Sequence, residues 1–491
     1  MSVETEILLL NGSVGSNNLW RLIGPYQLAW WLREHGYQPQ VIDFVPYLTD
    51  DEILQLIDKF VSKTTKIIAW GLKGPTATHG NQSTTIVEKF IPMLRKKYPW
   101  VKFVAGGPWA HYCCHNWPNK TAFDYYLFGY AEDGMLSICE REFRGAPMPM
   151  YESIAGNIVI KDTTPTRLPE EKRFHLRTSM HRWHPRDCIE PGESLPIELG
   201  RGCRFRCSFC AFPHIGKKDD NFRRKMELVE EEMLYNYKEF GTTYYYIIDD
   251  TFNDSHPKMI EFHSMTQRLP FKIKFSCYLR PDLLDKFDDQ PLLLKDSGLL
   301  SGFLGVETFN EKAAVAIRKP WAAKRGRDFL LELRNNLWKN DVSVKASMIV
   351  GLPHNTEEEL REYQKWFFDN KFPSWEWKPL LIMRDLTRPF TSEFDREAQS
   401  YGFEWEEVNG DFEWKSPWMT QSAAIDLSKE LNTERDFVIT PEPWELLEMQ
   451  NFGIDPSLIL FKPIKNPRTA NMIVTKRKEF LDRYKQRLMN L

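Results

Sequence analysis

Three cysteines within eight residues, Cys203, Cys207 and Cys210 in GRGCRFRCSFCAF, are the side chains of this chain best placed to do chemistry. Thiolates at a C-x3-C-x2-C spacing can gather on one side of a loop and hold three irons of a cubane iron–sulfur cluster. The fourth iron then keeps an open coordination position, which a reagent requires and a structural metal does not. A rival arrangement uses His214, four residues beyond Cys210, to complete a closed Cys3His zinc site. Spacing alone leaves both open. Structural zinc usually staples a small module, whereas this triad follows an apolar strand, Leu195–Leu199, midway along a large chain.

The elements around the triad repeat. Residues 195–385 alternate strand and helix: strands at Leu195–Leu199, Tyr244–Asp249, Lys272–Tyr278, Gly302–Val306, Val342–Ile349 and Trp377–Ile382, with helical stretches between them. Six β/α units suit an open parallel barrel, a partial (β/α)6, whose chemistry sits at its C-terminal mouth. Polar and turn residues collect at those strand ends: Asp250 and Thr251 after the second, Arg280 with Asp282 after the third, Glu307 after the fourth, and Gly351-Leu352-Pro353 after the fifth.

Residues 1–145 alternate as well, with short apolar strands at Ile7–Asn11, Val41–Phe44, Lys66–Trp70, Val101–Ala105 and Tyr125–Phe128. Helices of crossover length between them imply a doubly wound parallel Rossmann-like sheet, although no G-x-G-x-x-G follows the first strand. Ligands of such sheets bind beyond the carboxyl ends of the strands. Those ends carry Asn11–Ser16, Gly71–Gly80, Gly106-Gly107-Pro108 and Gly129–Asp133. Residues 146–194, rich in Pro, Arg and His, read as a connector with a short hairpin near Ile158–Lys161. Residues 386–491 lose the β/α rhythm and read as a mostly helical cap ending in a basic amphipathic helix from Thr475 to Leu491.

Composition bounds the function. At 491 residues the chain is long enough for two or three domains, and a net charge of -3 argues for no nucleic-acid-binding field. Eight cysteines are too few for a disulfide framework in a chain of this length, and a reducing, cytoplasmic location is expected. No apolar run approaches membrane-spanning length, and MSVETEILLLNG lacks the pattern of a signal peptide. The 17 Trp, 18 Tyr and 32 Phe are enough both to pack cores and to line a site for a flat ligand.

The cysteine motif and the ordered strand ends resemble the radical S-adenosylmethionine (radical SAM) superfamily. The resemblance implies a 4Fe-4S cluster on Cys203, Cys207 and Cys210, and S-adenosylmethionine on its open iron as the source of a 5′-deoxyadenosyl radical. It places Asp250 and Thr251 near the methionyl amine, Arg280 near the carboxylate, Glu307 near the ribose, and Gly351 and Pro353 against the adenine. The N-terminal GGP and G-x-x-E turns resemble the cobalamin-binding domain that precedes many such barrels. This second likeness implies cobalamin contacts at Asn11, Ser13, His79, Gly106, Gly107, Gly129 and Glu132. The D-x-H-x-x-G motif that supplies a histidine to cobalt in the mutase class is missing. His79 is then either a group near cobalt or a loop residue, and a sheet that holds no cofactor is the alternative.

Together these likenesses imply a cobalamin-dependent radical methyltransferase acting on a carbon centre, with flavodoxin or ferredoxin as electron donor. Rearrangement, cyclisation or oxidation without methyl transfer is the near alternative, and a zinc-stabilised non-catalytic binding protein the distant one. A monomer is expected. The substrate class, whether small molecule, peptide or nucleotide, does not follow from these residues.

Overall fold

The computed structural model describes residues 4–13, 19–73, 89–116, 122–211, 216–217, 219–321, 323–339, 341–384, 391–408, 411–435, 440–462 and 467–491. It divides the chain into two compact units. Among the described residues no helix is long and apolar enough to cross a membrane.

The first unit comprises Met1–His175, Ser179–Glu190 and Arg477–Leu491. Its strands are β1 (Ile7–Ser13), β2 (Pro39–Ile42), β3 (Ile67–Lys73), β4 (Lys102–Gly106), β5 (Tyr125–Phe128), β6 (Glu152–Ile154) and β7 (Asn157–Lys161), in the order β2-β1-β3-β4-β5-β7-β6. All pairs are parallel except β6 with β7. Continuous apolar runs such as Ile7–Leu10 are buried because helices cover both faces. Thr49 and Glu52 form a capping box that starts the helix Asp50–Phe60, and Gly145 in the left-handed region ends the helix Glu132–Arg144.

Two stretches fall differently from the sequence reading. The hairpin expected inside a connector pairs with β5 and widens this sheet, because Ile158 and its neighbours offer an alternating strand to an open edge. Arg477–Leu491, expected as part of a C-terminal cap, belongs to this unit. The Asp43 amide donates to Tyr484 Oη at 2.8 Å, and the Phe44 and Tyr484 rings meet edge-on at 5.1 Å.

The second unit comprises Leu176–Thr178 and Pro191–Lys476. Its strands are β8 (Leu195–Ile197), β9 (Tyr244–Ile247), β10 (Lys274–Leu279), β11 (Leu299–Glu307), β12 (Ser343–Val350) and β13 (Trp375–Pro379). They lie in sequence order and pair in parallel throughout, with β8 and β13 as open edges. This is the partial (β/α)6 barrel. Alternation sets its two faces. Trp375 and Trp377 turn outward, where each indole Nε1 donates to Gln364 Oε1 of the helix Glu357–Asp369 at 2.8 Å. Glu376 and Lys378 turn inward.

Part of the C-terminal region enters the barrel's inner face. The helix Pro443–Asn451 receives the Ser276 hydroxyl on Pro443 O at 3.2 Å and the Ser194 hydroxyl on Leu447 O at 3.1 Å. Leu446 is fully buried against Leu300 and Leu460, a burial that stabilises by about 1.5–3 kcal/mol per side chain. The hairpin β14 (Glu404–Val408) and β15 (Asp411–Lys415) and the helix Gln421–Arg435 complete this mostly helical region.

Candidate functional site

The cysteine loop is tied down at both ends. Leu199 and Gly200 amides donate to Asp249 Oδ1 at 2.8 and 3.0 Å, so the end of β8 is bolted to the end of β9. Lys258 Nζ holds the other oxygen of Asp249 at 2.8 Å and reaches Asp254 at 3.3 Å. All three charges are buried, and the pairing is what makes that burial tolerable. Further along, the Cys210 amide donates to Cys207 O at 3.0 Å and the Lys217 amide to Cys203 O at 3.1 Å, which folds the loop back on itself.

Hydrogen-bonding groups converge on two of the sulfurs. Thr251 Oγ1 lies 3.3 Å from Cys203 Sγ, and the Phe205 amide donates to the same sulfur at 3.5 Å. Burial raises the Cys203 thiol above its ordinary value, and those two bonds pull against it. Arg280 Nη1 donates to Cys207 Sγ at 3.5 Å, while its other nitrogens grip Asp282 at 3.0 and 2.8 Å. Its guanidinium carbon stands 3.9 Å from the centre of the Phe205 ring. Asn253, wholly buried, brackets the Arg280 backbone by accepting its amide at 2.8 Å and donating to its carbonyl at 3.0 Å.

Glu307 and Gly351 occupy the next two strand ends. Glu307 adopts φ +70°, a strained conformation for a residue with a side chain, and Lys319 pairs with it at 3.1 Å while also donating to Gly305 O. Gly351 has φ +99°, and a Cβ there would sit 2.6 Å from the Trp414 ring. Thr308 Oγ1 donates to Asn355 Oδ1 at 2.9 Å, which couples these two ends on either side of Pro353. Asp250 lies beside Thr251 and supplies the carbonyl that Thr251 Oγ1 bonds at 2.9 Å.

Cys203 meets Thr251 and Cys207 meets Arg280, whereas Glu307 pairs with Lys319 and Gly351 lies against Trp414. Asp249, Asn253, Lys258 and Lys319 were not singled out from the sequence. Asp249 and Asn253 flank the Asp250-Thr251 pair, and Lys258, in the first turn of the helix His256–Arg268, follows Asp249 and Asp254 closely enough for a charge-pairing reading to have joined them, whereas Asn253 and Lys319 carry no such signal.

In the first unit, the strand-end residues are engaged by the protein itself. Asn11 Nδ2 donates to Asp43 Oδ1 at 2.6 Å. Gly107 has φ +87°, and a Cβ would lie 2.6 Å from the Leu72 carbonyl oxygen. Gly129 has φ +83°, with the Asp162 carboxyl filling the space of a Cβ. Those glycines, expected to let a ligand approach, admit neighbouring protein atoms at that position. Gly106 ends β4, Glu132 is buried at the start of its helix, and Ser13 ends β1. His79 and His214 lie outside the described residues. Among the described residues no three His, Cys, Asp or Glu side chains close around a single ion. A cubane asks for a different arrangement, with each sulfur on its own iron.

Residues 197–367 match the model of the radical SAM superfamily. The chain is 27% identical over 197 residues, 39% of its length, to an anaerobic magnesium-protoporphyrin IX monomethyl ester cyclase of Cereibacter sphaeroides. It is 28% identical over 285 residues, 56% of its length, to an uncharacterized protein of Methanocaldococcus jannaschii. These matches span 30% and 57% of those two relatives. Among solved structures, the radical S-adenosylmethionine methyltransferase TsrM of Kitasatospora setae, with cobalamin and a [4Fe-4S] cluster bound, superposes with a TM-score of 0.68 at 13% identity, over 97% of this chain and 100% of that one. The cobalamin-dependent S-adenosylmethionine radical enzyme OxsB superposes with a TM-score of 0.60 at 12% identity, over 98% of this chain and 72% of that one. Residues 197–367 are therefore a radical SAM domain, in a chain whose fold is shared with the cobalamin-dependent radical SAM enzymes.

Proposed function

We propose that this radical SAM enzyme methylates a carbon centre of its substrate, with cobalamin as methyl carrier. The observation that carries the cluster assignment is the donation of the Phe205 amide to Cys203 Sγ and of Arg280 to Cys207 Sγ. Thiolates that share an iron cluster carry excess negative charge, and donors aimed at sulfur are what stabilise it. The donor set fits. With Cys210 they would hold the 4Fe-4S cluster, and S-adenosylmethionine would lie among Asp250, Thr251, Arg280, Glu307, Gly351 and Pro353. Cobalamin would lie at the strand ends of residues 1–145, with Asn11, Ser13, His79, Gly106, Gly107, Gly129 and Glu132 nearby. Bound in these places, the cluster and S-adenosylmethionine supply a carbon radical, and cobalamin a transferable methyl group.

The chain's own residues position and protect. Asp249 and Lys258 keep the cysteine loop against β9, so the sulfurs hold one geometry. Arg280 is committed to Asp282 and Phe205, so its charge stays beside the cluster loop. Lys319 orients the Glu307 carboxylate, which would accept from ribose hydroxyls. Flavodoxin or ferredoxin would deliver the electron in a reducing compartment. A second reading, radical chemistry without methyl transfer, is favoured by the likeness to the Cereibacter cyclase. Residues 195–385 would supply the barrel, and residues 386–476 of the same unit would shape the substrate site.

Anaerobic reconstitution tests it. Wild type should take up about four irons with sulfide and release 5′-deoxyadenosine under a strong reductant. Cys203→Ala, Cys207→Ala and Cys210→Ala should each lose both properties, while Cys113→Ala and Cys277→Ala keep them. One zinc in place of iron, or an iron-loaded active Cys207→Ala protein, refutes the cluster. A corrinoid absorption band and a methylated product support methyl transfer; an unmethylated product favours the second reading.

A further inference from the structure

The cysteine loop has two faces, and the cluster and S-adenosylmethionine account only for the inner one. Phe205 turns inward, its ring centre 3.9 Å from the guanidinium carbon of Arg280, which donates to Cys207 Sγ. Its two chain neighbours, Arg204 and Arg206, turn outward and are exposed. Arg204 adjoins Cys203 in the chain and Arg206 adjoins Cys207, so this outer face stands directly behind the first two cluster cysteines.

The fold gathers more positive charge there. The Gly216 amide donates to Phe205 O at 3.0 Å and the Lys217 amide to Cys203 O at 3.1 Å, which lays Lys217 against the Cys203–Phe205 stretch. Gly216, at φ +74°, makes room for Arg206, whose Nε fills the place of a Cβ. Arg177 donates to Asp220 O at 3.3 Å and accepts the Lys225 amide on its own carbonyl at 3.1 Å, which brings two further cations to the loop. Arg204 and Arg223 stand 3.6 and 3.8 Å from the Asp220 carboxylate, both loose pairs. Arg206, Lys217 and Lys225 form no ion pair among the described residues. The chain as a whole carries a net charge of -3, so this concentration of cations is local.

We infer that this outer face is the docking surface for the protein that reduces the cluster, and that this partner is a small, acidic one-electron carrier. A positive patch draws an acidic protein along its approach and fixes its orientation on arrival. Because the patch lies on the loop of the cluster cysteines, attraction and electron transfer act at one place. The exposed Arg204–Asp220 pair is weak, which leaves Arg204 open to a partner's carboxylates. One electron leaves the carrier and one enters the iron–sulfur centre, with no bond or proton moved. The inference rests on the radical SAM reading of this unit and adds a surface and a partner class to it.

The test uses the iron-loaded full chain, reduced flavodoxin as the acidic carrier and photoreduced 5-deazaflavin as a small comparison reductant, with stopped-flow absorbance following cluster reduction. With flavodoxin the second-order rate constant should fall as salt rises, and Arg204→Glu with Arg206→Glu should lower it about tenfold or more at low salt. Arg204→Lys with Arg206→Lys should keep most of it. Lys238→Glu with Lys429→Glu, the same change in net charge at two exposed positions elsewhere, should leave it near wild type. Deazaflavin should reduce every variant at the wild-type rate. If the arginine reversal loads no iron, Lys217→Glu with Lys225→Glu carries the same expectation from outside the Cys203–Cys207 stretch. A flavodoxin rate that survives the reversal, falls as far in the Lys238 and Lys429 control, or ignores salt overturns the inference. Deazaflavin separates the two failures: a wild type that it cannot reduce sinks the radical reading, and a wild type that it reduces without the flavodoxin response sinks only the docking surface.

Discussion

Arg280 Nη1 donates to Cys207 Sγ across 3.5 Å, so a side chain from the end of β10 touches the cysteine loop that follows β8. Its fork is filled by Asp282 and its flat face by Phe205. Lysine offers a point charge and cannot reproduce both contacts. Arg280→Lys should therefore load iron but lose it to a chelator about 10–100-fold more readily than wild type, the usual effect of removing an outer-shell partner. Iron retention after timed chelator challenge measures this, and unchanged retention contradicts it.

Gly351 is held at φ +99° with the Trp414 ring where a Cβ would go. Gly351→Ala adds a strained backbone and a clash with a buried indole, and should destabilise by about 1–3 kcal/mol or more. Thermal unfolding of the full chain should show a lower midpoint. An unshifted midpoint would mean that Trp414 moves away at no cost.

Tyr484 accepts the buried Asp43 amide at 2.8 Å. Tyr484→Phe leaves that donor unpaired and should cost about 1–3 kcal/mol. Limited proteolysis of residues 1–190 should become faster, and an unchanged digestion rate would show that the C-terminal helix contributes nothing to this unit.

Glu445 provides a pH-dependent term. Burial pushes its carboxyl up to about 7, and the neighbouring Glu442 carboxylate adds to the rise. The folded state then holds a proton that the unfolded chain releases at lower pH. That contribution is present below the ordinary carboxylate range and is lost as pH rises through about 7. Glu445→Gln, which mimics the protonated form, should be the more stable protein at pH 8 by on the order of 1 kcal/mol and nearly equal to wild type at pH 5. Melting at the two values checks the sign, and a variant less stable at pH 8 reverses it.

Much of the fold was legible because periodicity reports burial. The apolar runs Ile7–Leu10 and Tyr125–Phe128 announce strands covered on both faces, and the order of strand ends from the cysteines to Gly351 announces the barrel. The edges were less legible. Ile158–Lys161 reads as a hairpin, but only the free edge of β5 decides that it joins a sheet. The basic helix at the C-terminus reads as amphipathic without revealing which face it packs against.

The chain's sequence alone determined that three thiols share one loop and that polar or turn residues follow the second to fifth barrel strands, since spacing and alternation are local properties. Tertiary structure decided who meets whom. Gly107 and Gly129 announce a left-handed backbone, and only the fold shows that Leu72 and Asp162 use the space. Lys345 and Lys378 are alike as letters on neighbouring strands. The fold surrounds the first with two carboxylates distant from it in sequence, Glu376 and Glu442, and leaves the second half open with only its strand neighbour Glu376 as an ion-pair partner among the described residues.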